Sequence, residues 1–436
     1  LLRYRVKRID TLFADVTAVT MDGEPLPHAY VGVTDGTIGY LSQTEPVDTE
    51  IGRTVRGSRL VLMPGLINTH THIAMTALRG YADDAALHTW LFDRIFPAEH
   101  KLDARGVYLA ARVGMLEAVG TGTTAILDNY FHILSVADAA VETGLRAEVA
   151  NIAMYFGDGV IPETDRTFSD CRDVMEKHSG HPLVRAGTGI HAVYTSNPET
   201  WAYMADYAGT HRLRMQLHLS ETAKENADCL EKYGVSPTAA LERAGVFALP
   251  VTAAHGVHLS AEDRTLLKAH DVTVSHCPAS NCKLASGIAD VPAMLSAGVN
   301  VSLGTDSVAS NNSHDLFREL KLAALLGKVR TGDAEALPAR TVLAFATANG
   351  ARAMGYGKSG RIRVGYDADL TLLDFDAPHL TPCWDVCSQL VYAATGHDVC
   401  MTMVNGRVVY ERGAYPRIDH EKWMAELREY CEKTLR

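Results

Sequence analysis

Val61-Leu62-Met63-Pro64-Gly65-Leu66-Ile67-Asn68-Thr69-His70-Thr71-His72 is an apolar run that ends in two histidines two residues apart. Side chains alternate faces along a strand, so His70 and His72 point the same way and can grip one metal ion. The pair alone decides little, because 19 histidines in 436 residues would give about one His-x-His by chance. Its place in the chain is what counts.

From Leu66 onward, short apolar runs alternate with helical patterns, the arrangement of repeated β-α units around a parallel sheet. Eight runs qualify: Leu66-His70, Thr123-Asp128, Leu145-Asn151, Arg185-His191, Arg214-His218, Val251-His255, Val272-His276 and Val299-Thr305. Between the first two, Arg105-Val119 carries Val107, Ala110, Val113, Leu116 and Val119 along one side, with Gly120 as the helix stop. Eight units predict a closed (β/α)8 barrel of the TIM type, whose working residues sit at the C-terminal ends of the strands. Those ends carry or directly precede His70, His72, Asp128, Asn151, His191, His218, His255, His276 and Asp306.

The two chain ends read differently. Val31 and Val33 before Asp35-Gly36, and Ile38 and Tyr40 after it, alternate as in a half-buried hairpin, and Asp22-Gly23 is a second tight-turn pair. Asn405-Gly406 separates two further short runs, after a strand-like Asp369-Phe375. The ends therefore predict one small β-sandwich domain from residues 1–58 and 365–436, flanking a barrel over 59–364. His420-Arg436 closes the chain as an amphipathic helix, with Trp423, Met424, Leu427 and Tyr430 at helical spacing for packing.

A net charge of -11 and the lack of any basic run oppose a nucleic-acid partner. No segment reaches the roughly 18 apolar residues of a membrane span, and no signal pattern opens the chain, so the expected compartment is the cytoplasm. Eight cysteines without a Cys-x-x-Cys pair predict buried thiols rather than disulfides or a zinc ribbon.

The strongest constellation is His70, His72, His218 and Asp306, from predicted strands one, five and eight. Three imidazoles and a carboxylate suit Zn²⁺ or Fe²⁺ and leave a position for water. Such an ion brings the pKa of bound water toward about 7, which makes hydrolysis the natural chemistry. Glu221, three residues after His218, is placed to accept a proton from that water and pass it to a leaving group, and Asp306 can help deprotonate the water while bound to the metal. His255 can hydrogen-bond the attacking oxygen, and His191 can touch substrate, whereas His132, His258 and His276 are expected to be structural. Asp128 either orients a ligand or closes a loop. Trp90, Phe92 and Glu99 lie in the long connection after strand one, where an aromatic can stack a flat heterocycle and a carboxylate can accept from sugar hydroxyls, or where both serve a small surface cluster.

These residues resemble the amidohydrolase superfamily, and more closely its 5-methylthioadenosine/S-adenosylhomocysteine deaminase branch, related also to the triazine chlorohydrolases. The resemblance spans nearly the whole chain. It includes Pro64-Gly65-Leu66-Ile67-Asn68-Thr69-His70-Thr71-His72, Trp90-Leu91-Phe92 to Pro97-Ala98-Glu99, His218-Leu219-Ser220-Glu221-Thr222, Ala254-His255-Gly256, Pro278-Ala279-Ser280-Asn281, Gly304-Thr305-Asp306 with Ser310-Asn311-Asn312, and Gly365-Tyr366-Asp367-Ala368-Asp369-Leu370.

The resemblance implies one divalent metal ion, zinc with iron as alternative, held by His70, His72, His218 and Asp306. It implies Glu221 as proton shuttle, His255 beside the hydrolytic water, purine stacking near Trp90, ribose hydroxyls on Glu99, substrate contact by His191, and a homo-oligomer. Two-metal relatives carry a carboxylated lysine at the fourth strand end, where this chain has Thr188-Gly189-Ile190-His191. The implied reaction is hydrolytic deamination of an adenine-type nucleoside. The alternatives are an aminohydrolase or chlorohydrolase acting on guanine, a pterin or a triazine, and a catalytically silent binding relative. Departures from the branch gather on the substrate side: Ile190, Ala192 and Val193 stand in a Gly-Pro-His-Ser-Pro-Tyr motif, Cys277 replaces an asparagine, and Ser307-Val308 replaces a smaller pair.

Overall fold

The computed structural model describes residues 7–436; residues 1–6 of the expected N-terminal β segment lie outside the described residues. One of its two sheets is parallel and takes its eight strands in chain order: Leu66–Thr71, Thr123–Tyr130, Arg146–Ala153, Val184–Ile190, Met215–Leu219, Val251–His255, Thr273–His276 and Asn300–Leu303. These are the eight predicted runs, trimmed or extended at their ends. Nearly every strand residue is buried, because helices cover the outer face and side chains fill the inside. The seam between last and first strands is closed by the Asp306 N–H on the His70 carbonyl at 2.9 Å and by a Thr71–Asp306 bridge. Two candidate ligands thus sit where the barrel shuts.

The quoted stretch serves both sheets. Leu60–Pro64 runs antiparallel to Leu370–Asp374 in the second sheet, and Leu66–Thr71 opens the barrel. Gly65 passes between them: a Cβ there would lie 2.1 Å from Thr124 Cγ2, so no other residue fits the crossing. Gly65 is thus the residue at which the chain passes from the second sheet into the barrel. Apolar patterning alone does not say which sheet a buried strand joins.

The second sheet is mixed, in the order Arg407–Glu411, Val399–Val404, Leu370–Asp374, Leu60–Pro64, Arg8–Ala18, Leu26–Thr34, Thr37–Ser42, with Glu50–Arg56 also paired to Arg8–Ala18. It is one branched, hydrogen-bonded sheet, separate from the barrel. Arg8–Ala18 pairs with Glu50–Arg56 along its first half and with Leu60–Pro64 only through Thr17 and Ala18. Register shifts between Ala14 and Val16 and between Val16 and Ala18 mark the change, since bulges bend and twist a strand. Phe13, Val31, Leu62, Leu372 and Met403 from both branches share one apolar core. The terminal helix, His420–Thr434, packs on the barrel helix Ala104–Gly120 instead of on this sheet. Trp423 and Leu427 are its buried residues, with the Arg112 guanidinium 4.1 Å over the Trp423 ring and 2.8 Å from Glu426. All eight cysteines are free, and no helix among the described residues is long and apolar enough to cross a membrane.

Of the three expected tight-turn pairs, Asp35-Gly36 and Asn405-Gly406 form hairpin turns, with φ of +48° and +78° and of +48° and +73° as a type I′ turn requires, whereas Asp22-Gly23 lies in the longer connection between Arg8–Ala18 and Leu26–Thr34. The turns abut: a Cβ on Gly406 would lie 2.6 Å from Gly36 Cα. Beside them the buried Asp369 accepts from Asn405 N at 2.7 Å, Arg146 Nε at 2.8 Å and Ser359 Oγ at 3.2 Å. Because Arg146 opens the third barrel strand, this carboxylate ties the two sheets together. Asp369→Ala leaves a buried guanidinium without its main partner and is expected to cost about 3–5 kcal/mol. A urea midpoint equal to that of the parent protein would show that the tie is dispensable.

Candidate metal centre and active site

His70 and His72 leave the first barrel strand, His218 lies near the end of the fifth and Asp306 follows the eighth. Their donor atoms converge. His70 Nε2 and His72 Nε2 stand 3.4 Å and 3.2 Å from Asp306 Oδ1, and the Nε2 atoms of His72 and His218 are 3.4 Å apart. Metal–nitrogen bonds of about 2.0–2.1 Å in tetrahedral arrangement separate neighbouring ligand atoms by roughly 3.3–3.4 Å, so these gaps match the edges of a coordination polyhedron.

The outer ring nitrogens fix the tautomers. His72 Nδ1 donates to the Asn129 carbonyl, and His218 Nδ1 donates to the His191 carbonyl at 2.8 Å. A carbonyl only accepts, so in the neutral ring each Nε2 is left with its lone pair facing the centre. His70 Nε2 is buried and makes no hydrogen bond. Asp306 presents Oδ1 to the histidines because Oδ2 is engaged by Ser280 Oγ at 2.5 Å and Ser310 Oγ at 3.1 Å.

Burial and the Asp306 carboxylate govern charge at this point. Burial works against charge on Asp306, yet the facing His70 and His72 imidazoles hold its carboxyl well below the usual range. Burial likewise opposes a charged His72, but Asp306 lifts it to about 9, while burial takes His70 down to about 4. Three imidazoles and one carboxylate, oriented through their outer atoms, are a donor set fit for a divalent metal ion.

Glu221 and His255 stand beside this cluster. Glu221 is buried, which raises its carboxyl, and Oε1 accepts from Ser286 Oγ at 3.1 Å. His255 Nε2 lies 3.8 Å from Glu221 Oε2, and its Nδ1 pairs with Asn281 Oδ1 at 2.9 Å. Ser220, His255 and Asp306 all adopt left-handed φ, of +47°, +74° and +57°. Non-glycine residues reach that region at a cost of order 1–3 kcal/mol each. Three at the ends of strands five, six and eight are held there by the site's own bonds, among them Gly256 N to Leu219 O at 3.0 Å and His258 N to Ser220 O at 2.9 Å. Glu225 supports the same turn by accepting from the backbone of Ser220 and Glu221 at 3.1 Å and 2.8 Å, and burial lifts its carboxyl to about 7.

A cavity opens over the cluster, and His72, His218, Glu221, His255 and Asp306 form its floor. Trp90, Glu99 and His191 line it as well. Trp90 is held in the π-helical turn Thr89–Ile95, and burial pushes Glu99 up to about 7 against the pull of Tyr130 and His72. His191 Nδ1 pairs with Thr195 Oγ1 at 3.0 Å. Phe92 does not line the cavity; its ring packs against His88 and Phe96, at 4.6 Å and 5.3 Å. Asp128 fixes a loop: Oδ1 accepts from Ile73 N at 2.6 Å, just past His72. His258 is engaged by the Ser286 carbonyl at 2.8 Å and His132 by Arg166 at 2.7 Å, and neither they nor His276 reach the cavity.

Nothing in the sequence assigned a role to Ser280, Ser310, Asn281, Ser286 or Glu225, which hydrogen-bond Asp306, His255, Glu221 and the turn at Ser220. The only signal for the first three was their place in the Pro278-Ala279-Ser280-Asn281 and Ser310-Asn311-Asn312 motifs.

A 5-methylthioadenosine/S-adenosylhomocysteine deaminase of Moorella thermoacetica is 39% identical, over 97% of this chain and 99% of its own. A 5'-deoxyadenosine deaminase of Methanosarcina acetivorans is 41% identical over 98% of each chain. Among solved structures, an adenosine deaminase from Xanthomonas campestris with bound zinc superposes with a TM-score of 0.91 at 33% identity, covering 98% of this chain and 99% of that one. The model of the amidohydrolase family matches residues 61–409, from the strand that enters the barrel to the last strand of the second sheet, and the chain belongs to that family.

Proposed function

We propose that this protein hydrolytically deaminates an adenine-type nucleoside such as 5′-methylthioadenosine, S-adenosylhomocysteine or adenosine, using one divalent metal ion, zinc by preference. The observation that carries the reading is the convergence of His70, His72, His218 and Asp306 on one point, with Glu221 and His255 on the same cavity floor. When bound, the ion supplies Lewis acidity that brings the ionisation of water toward about 7. Glu221 takes one proton from the attacking water and passes it to the purine ring nitrogen, then takes the second from the hydroxyl now on the ring carbon and passes it to the departing amine. Water adds at the ring carbon that bears the amino group, the carbon–nitrogen bond breaks, and ammonia and the inosine-type product leave. His255, steadied by Asn281, orients the attacking oxygen. Trp90 supplies a flat apolar wall for the purine, Glu99 accepts from the ribose hydroxyls, and His191 contacts substrate.

Ammonia and chloride release, measured across adenosine, 5′-methylthioadenosine, S-adenosylhomocysteine, guanine, a pterin and a chlorotriazine with metal content determined on the same sample, tests the reading. Expected are ammonia from the adenine nucleosides and about one metal ion per chain. Turnover confined to another heterocycle would overturn the substrate class and leave the metal chemistry in place.

A further inference from the structure

The cavity wall speaks to the 5′ substituent. Besides the groups on its floor, the lining includes Leu87, Ile95, Phe96, Phe131, Ile152 and Met154. Apolar surface continues outward along the segment after the third barrel strand, where Met154, Phe156 and Val160 are 37%, 68% and 46% exposed. Among the described residues that line the cavity none is a lysine or arginine, and its carboxylates are Glu99, Glu221 and Asp306. Arg166, which opens the helix following that segment, is engaged elsewhere, 2.7 Å from His132 and 3.6 Å from Asp170. Lys232 lines a neighbouring pocket together with Asp158 and Glu199, and that pocket meets the cavity at Tyr194.

We infer that the site selects nucleosides whose 5′ substituent is neutral and apolar, hydrogen or a short alkylthio group, over those that end in a zwitterionic amino acid. This rests on the nucleoside reading above and names its substrate class more narrowly. A carboxylate carried into this wall loses water without gaining a cationic partner. A methylthio group gains contact with the same surface.

The test compares kcat/KM for 5′-deoxyadenosine, 5′-methylthioadenosine and S-adenosylhomocysteine. The first two are expected to exceed the third by tenfold or more. Met154→Lys is expected to raise the S-adenosylhomocysteine value and lower that for 5′-methylthioadenosine, whereas Lys232→Ala leaves all three unchanged. Parity of S-adenosylhomocysteine with 5′-methylthioadenosine overturns the inference, and its loss on Lys232→Ala would place the amino-acid tail in the neighbouring pocket. An unchanged S-adenosylhomocysteine value in Met154→Lys overturns it as well. Should no nucleoside be turned over, the proposed reaction fails on its own, and equilibrium binding of the same ligands to the Glu221→Gln protein still decides selectivity. Tighter binding of 5′-methylthioadenosine upholds the inference, and equal binding or none overturns it.

Discussion

Glu221→Gln is expected to lower kcat by about 10²–10⁴-fold, the range general acid-base catalysis contributes, while metal content and nucleoside affinity stay near those of the parent protein. The amide keeps the length and shape of the carboxylate and still accepts from Ser286 Oγ, which lies 3.1 Å from Glu221 Oε1. Glutamine cannot take a proton from water or deliver one to the purine. Glu221 is also absent from the converging donor set, so the ion has no reason to leave. Single-turnover rates and metal analysis on one preparation check both halves. A variant with full turnover would remove Glu221 from the reaction, and a variant without metal would make it a ligand. Glu225→Gln provides the contrast. Glu225 accepts from two backbone N–H groups behind Glu221, so its replacement loosens the turn and is expected to cost far less.

The barrel was legible because its strands are short, apolar on both faces and spaced by helices, a pattern few other arrangements share. The hairpin turns were legible because Asp35-Gly36 and Asn405-Gly406 satisfy a backbone demand local to two residues. The division of the opening run at Gly65 was not. Leu60–Pro64 and Leu66–Thr71 are equally apolar, and what separates them is the Thr124 side chain 59 positions further on. The reactive set was legible for the opposite reason: histidine, aspartate and glutamate at strand ends have few other uses in such number. The hydroxyls that steer them had no such mark. Ser280 and Ser286 meet Asp306 and Glu221 across 26 and 65 residues of sequence, and serine is common in any loop. Which aromatic of Trp90-Leu91-Phe92 lines the cavity was not legible either, since one turn of π-helix decides it.

His70→Ala is expected to abolish stoichiometric metal and, with it, nearly all turnover, and the loss has a readout independent of catalysis. The His70 imidazole is buried, its Nε2 has no hydrogen-bond partner, and its ring centroid lies 4.9 Å from both the His72 and His218 rings. Removing it opens the polyhedron at the strand where the barrel closes. A ligand that binds only the folded state stabilises it by RT ln(1 + [L]/Kd), about 2.7 kcal/mol at a free concentration one hundred times Kd. A chelator should therefore lower the unfolding temperature of the parent protein and leave that of His70→Ala unmoved. Ser280→Ala should fall between the two. It removes the 2.5 Å hydrogen bond that turns Oδ1 of Asp306 toward the histidines, and loss of such outer partners typically costs 10–100-fold in metal affinity or activity. Saturating metal should then restore its kcat but not that of His70→Ala. If chelation shifts all three proteins equally, the stabilising ion sits elsewhere in the molecule, and the assignment of these four ligands falls.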